Sequence, residues 1–101
     1  MHNDIDLSKL AGRVYVGRPN GSKAREYYKI DALEKEEKYP INIKFPSNAK
    51  TLTSSFFLGM FGKSVREAGS KKVFFERFTF NAPKKILAEV NLGVEEALLS
   101  L

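Results

Sequence analysis

Residues 41–69 read INIKFPSNAKTLTSSFFLGMFGKSVREAG, and the assignment of the fold turns on them. Ile41, Ile43 and Phe45 alternate with polar neighbours, the period of a half-buried strand. Pro46, Ser47 and Asn48 interrupt it, and an extended stretch through Thr51 then leads into Thr53, Ser54 and Ser55. Beyond these hydroxyls, Phe56, Phe57, Met60, Phe61 and Val65 recur at helical spacing. That pattern predicts a helix from Ser54 or Ser55 to Ala68, stopped by Gly69 in the left-handed conformation. A hydroxyl at a helix start can cap it through its oxygen, worth about 1 kcal/mol. The same position offers unpaired N–H groups and the positive end of the helix dipole, which would tolerate a phosphate.

Working outward, residues 13–18, RVYVGR, predict a first strand between Gly12 and the turn Pro19-Asn20-Gly21. The run GRPNG is read as a strand-to-helix turn in which Gly21 takes a positive φ. Ser22 would cap a helix from Lys23, and Asp31 with Glu34 three places on gives a second capping signal. Two helical pieces, or one helix bent at residues 29–32, follow from this. Residues 72–80, KVFFERFTF, predict the third strand from their aromatic content. Asn81 would cap a last helix with Pro83 in its first turn and Ile86, Leu87, Val90, Val94, Ala97, Leu98 and Leu101 on one face. Gly93 marks a bend or split in that helix. The order strand-helix, three times over, predicts a small α/β domain of β-α-β-α-β-α type, its sheet mainly parallel or mixed and packed with helices. One domain covers residues 1–101, with residues 1–10 expected to be loosely held.

The composition suits one modest core. The chain has 101 residues, 43% of them hydrophobic, with eight Phe and four Tyr but no Trp and no Cys, so ring packing must replace disulfides. The formal charge is +5 and the pI about 9.5, yet glutamates are spread among the lysines as on a solvated surface. No segment has the length or apolar continuity of a membrane span or signal peptide, which predicts a cytoplasmic location.

Chemistry is sparse. The one histidine, His2, sits at the amino terminus, so a nucleophilic triad has no base, and neither a metal site nor a cofactor site is expected. GRPNG lacks both the dinucleotide fingerprint and the lysine-serine pair of a P-loop. Ser55, Gly59 and Gly62 fall at i, i+4 and i+7 and form a thin stripe of small residues. Either a neighbouring element approaches closely there or a partner docks. The partner surface read from the sequence is Thr53, Ser54, Ser55, Gly59, Gly62 and Lys63, together with Arg18, Asn20 and Gly21.

These segments resemble the short STAS-like proteins, a bacterial group of undefined function related to the anti-sigma-factor antagonists. The likeness rests on GRPNG followed by Ala24-Arg25-Glu26, on INIKF, on TLTSSFFLGMFGKSVREAG and on Phe80-Asn81-Ala82 entering a helix. The chain departs from the antagonists at Lys44, where they carry an acidic residue, and at Phe56, where they carry glycine. The resemblance implies a helix-covered sheet, no enzymatic activity, and regulation by contact with a protein such as a histidine-kinase-like ATP-binding protein. It also implies that Ser54 or Ser55 occupies the phosphorylated position, making this a partner-switching site. The alternative reading is a small basic nucleic-acid-binding protein using Lys71, Lys72, Arg77, Lys84 and Lys85 around an aromatic strand.

Overall fold

The computed structural model describes residues 4–9 and 14–99. Its elements run β1 (Asp4–Asp6), a 3₁₀ turn (Leu7–Lys9), β2 (Val14–Tyr15), α1 (Arg18–Tyr27), α2 (Ile30–Lys35), β3 (Ile41–Lys44), β4 (Thr51–Leu52), α3 (Ser54–Ala68), α4 (Lys71–Arg77), β5 (Phe78–Asn81) and α5 (Lys84–Leu99). All pairing is parallel. β1, β3 and β5 form one sheet in that order, and β2 pairs with β4 in a second. The result is the expected single-domain α/β fold with alternating strands and helices, with five short strands among the described residues instead of the expected three.

In the three-stranded sheet Ile5 lies opposite Ile43, which lies opposite Phe80, and Ile41 lies opposite Phe78. Ile5, Ile41, Ile43 and Phe78 are buried beneath the helices. The alternate residues Asp4, Asn42, Lys44, Thr79 and Asn81 are exposed. Asn42 donates to Asp4 at 2.8 Å and accepts from the Thr79 hydroxyl, so a polar ladder crosses the open face. Parallel sheets are usually covered on both faces, and polar alternation is what permits a bare one. Residues 4–9 are no loose lead-in: Ile5 and Leu7 belong to the core. His2, Gly12, Arg13 and Leu101, used in the sequence reading, lie outside the described residues.

The central helix matches its prediction at both ends. The Thr53 hydroxyl accepts the Phe56 amide, and Gly69, at φ 81°, stops α3 by donating to the Val65 carbonyl. Phe57, Met60, Phe61 and Val65 are buried, and Val90, Val94 and Ala97 of α5 are buried with them in the same core. Gly93 does not split α5, which runs unbroken from Lys84 to Leu99: a Cβ there would sit 2.4 Å from the Phe57 ring, so its role is to admit that ring. Asn81 belongs to β5 and does not cap α5, whose first turn closes from the Leu87 amide to the Pro83 carbonyl.

Five further expectations change. β2 is only Val14–Tyr15, because Gly17, at φ 92°, turns the chain and α1 begins at Arg18 with Pro19 in its first turn. Gly17, not Gly21, therefore takes the positive φ, and Ser22 lies inside the helix instead of capping it. The two helical pieces do separate at Lys29, in the left-handed region at φ 57°, but Asp31 makes no cap there. Residues 72–80 are not one strand. Ser70 caps α4 by accepting the Val73 amide, and the strand starts only at Phe78.

Candidate functional site

Thr53 ties the start of α3 to the turn before α1. Its amide donates to the Tyr15 carbonyl at 2.9 Å, and its hydroxyl accepts the amides of Phe56 and Gly17, each at 3.3 Å. The Ser55 hydroxyl lies 3.3 Å from that of Thr53. Ser54, half-exposed in the first turn, has no side-chain hydrogen bond among the described residues. The hydroxyl cluster is thus divided: Thr53 holds structure, Ser55 leans on it, and Ser54 is free.

The stripe of small residues is resolved by α1. A Cβ on Gly59 would lie 2.2 Å from the Arg18 carbonyl oxygen, and one on Gly21 would lie 2.1 Å from that of Phe56. The two glycines let α1 and α3 cross with their backbones in contact, so the surface they supply is already occupied by the chain itself. Gly21 and Gly59 leave the partner surface on this ground. Gly62 meets only the end of the Arg66 side chain. Lys63 is separate again, 3.7 Å from Asp31. Of the expected surface, Thr53, Ser54, Ser55, Arg18 and Asn20 remain at the junction of β2, α1 and α3.

Beside this junction a groove of about 460 Å³ runs between β2 and α1. Val14, Val16 and Tyr27 form its apolar lips, 54%, 44% and 67% exposed, while Ala24 and Phe56 lie deeper and Lys23 stands at the rim. Asn20, Lys23, Ala24 and Tyr27 reach it because helical spacing places them on one side of α1. Tyr15 also lines it. The Tyr15 ring packs edge-on against Phe45 and Phe56, and its buried hydroxyl has no hydrogen-bond partner among the described residues. Burial pushes its ionisation above the usual tyrosine range. Sequence reading passed over this groove because a two-residue strand gives little periodic signal, although exposed valines in RVYVGR were the available clue.

A second feature that the sequence reading missed is buried and structural. Arg25, on α1, donates through one terminal nitrogen to the Met60 carbonyl at 2.7 Å and the Ser64 hydroxyl at 2.9 Å. The other reaches Asp31 and Glu34, each at 2.7 Å, and Nε adds a bond to Asp31 at 3.1 Å. One guanidinium therefore joins α1, α2 and α3, and its bonds hold the Asp31 carboxyl below the usual carboxylate range.

No family model, curated protein or solved structure matches this chain. Among the described residues no group of histidine, cysteine or carboxylate side chains could hold a metal ion, and no helix is long and apolar enough to cross a membrane. Two of the five cations of the nucleic-acid alternative are engaged within the chain. Lys71 pairs with Glu95 at 3.6 Å, and Arg77 lies over the Tyr39 ring at 5.4 Å. Lys85 is ten residues before Glu95 on α5, about 15 Å along the axis.

Proposed function

We propose that this chain is a non-enzymatic regulatory domain that acts by binding a protein partner. The observation that carries the reading is the groove between β2 and α1. Apolar side chains scattered singly on a surface are ordinary, but Val14, Val16 and Tyr27 stand together, and such clustering marks a contact surface. The start of α3 adjoins it through the Thr53 bonds to Tyr15 and Gly17.

The resemblance to STAS-like proteins supplies the partner class, a histidine-kinase-like ATP-binding protein, and no cofactor enters the reading. It also supplies the switch. A phosphate on Ser54 adds about −1.5 to −2 charge at the favourable end of the α3 dipole, so the fold tolerates it while the neighbouring contact surface changes sign. Ser54 suits this better than Ser55, because its hydroxyl is free and that of Ser55 lies against Thr53.

Affinity capture with the tagged chain tests the reading, comparing wild type, Tyr27→Ser and Ser54→Asp. The expected result is an ATP-binding kinase-like protein retained by wild type and at least tenfold depleted with Tyr27→Ser and with Ser54→Asp. Equal retention of every captured protein by wild type and Tyr27→Ser overturns it.

A further inference from the structure

Resting on the protein-contact reading above, we propose that the groove takes an extended peptide segment of the partner, alternating apolar and acidic residues, as a third strand on β2. The main chain is arranged for it. The Thr53 amide donates to the Tyr15 carbonyl, so the polar groups of Tyr15 face β4. Alternation along a strand then turns those of Val14 and Val16 to the opposite edge. There Asn20 Nδ2 donates to the Val16 carbonyl at 2.9 Å. Among the described residues nothing hydrogen-bonds to the Val14 carbonyl or the Val16 amide from that side. An edge of this kind pairs with an incoming strand, the main chain giving affinity and side-chain pockets giving selection.

The groove selects by apolarity and by charge. The lips Val14, Val16 and Tyr27 fit alternate apolar side chains of an extended segment. Among the described residues Lys23 is the only charged one lining the groove and makes no ion pair, so the intervening positions are acidic. Charge also decides against a second copy of this chain. A two-fold pairing of β2 edges would bring two Lys23 side chains together between molecules that each carry +5.

The test titrates the isotopically labelled chain with acetyl-Asp-Val-Glu-Val-Asp-Val-Glu-amide, following backbone amides by NMR and affinity by calorimetry. Saturable shifts are expected at Val14, Val16 and Tyr27. Binding should weaken at least tenfold when alternate peptide amides are N-methylated, and equally when the acidic residues become lysine. Lys23→Glu should reverse the preference between acidic and basic peptides. Absent shifts, shifts centred elsewhere, or equal affinity for the N-methylated peptide overturn the proposal. The same shifts produced by raising protein concentration without peptide overturn it in favour of self-association. A kinase-like partner lost with Tyr27→Ser, with no peptide binding, overturns strand addition and leaves the contact reading standing. Peptide binding with all proteins still retained by Tyr27→Ser keeps the peptide site and overturns the contact reading.

Discussion

Three glycines on or against α3 look alike in sequence and differ in what a methyl group would meet. At Gly59 and Gly21 it would collide with main-chain carbonyls, which cannot step aside without moving a helix. At Gly62 the nearest atom is Arg66 Nη1 at 3.2 Å, the far end of a flexible side chain. Helix propensity favours alanine by roughly 0.5–1 kcal/mol at each site, whereas forced overpacking costs about 1–3 kcal/mol. Gly59→Ala and Gly21→Ala should therefore lower the unfolding free energy by about 1–3 kcal/mol in urea titrations. Gly62→Ala should be neutral or raise it by up to about 1 kcal/mol. A stabilised Gly59→Ala would mean that α1 and α3 do not cross in contact. The spacing of Gly59 and Gly62 left open whether a neighbouring element or a partner lay there; the choice required α1 to be placed, and the misplaced start of that helix hid it.

Elements with strong local signals were legible. INIKF alternates cleanly, and the helix after Thr53 has a hydroxyl cap, a regular apolar face and a glycine stop. KVFFERFTF was misread because aromatic residues fit strands by propensity, while the deciding facts are capping and tertiary packing. Ser70 supplies the cap, and α4 delivers Phe74 to a stacked contact with Phe78 at 5.0 Å and to edge contacts with Phe57 and Phe61. A seven-residue helix is too short to persist on propensity alone, so the cap and the ring contacts must hold it. Ser70→Ala should cost about 1 kcal/mol and speed amide exchange in α4. Ser22→Ala, at an exposed position inside α1 and not at its start, should change stability by less than about 0.5 kcal/mol. Equal losses for the two serines would restore Ser22 as a cap.

Across the whole molecule, one tyrosine, Tyr28, joins β1 to the helices. The Tyr28 hydroxyl, on the residue that ends α1, donates to the Asp6 carbonyl at the end of β1 at 2.7 Å. Burial, with smaller contributions from Tyr27 and Asp6, pushes its ionisation up to about 12. Burial likewise raises Tyr15 and Tyr39. A folded-state value above the unfolded one, about 10, means that the unfolded chain loses its proton first as pH rises. The stabilisation is complete below about pH 10 and is lost as pH climbs toward 12. The urea midpoint should fall steeply over that interval. Tyr28→Phe should cost about 1 kcal/mol at pH 7, through the lost bond to Asp6, yet show a shallower alkaline decline because one shifted group is gone. An unchanged alkaline slope in Tyr28→Phe would show that burial of this hydroxyl does not set the alkaline limit, and unchanged stability at pH 7 would show that its bond to Asp6 does not hold β1 to α1.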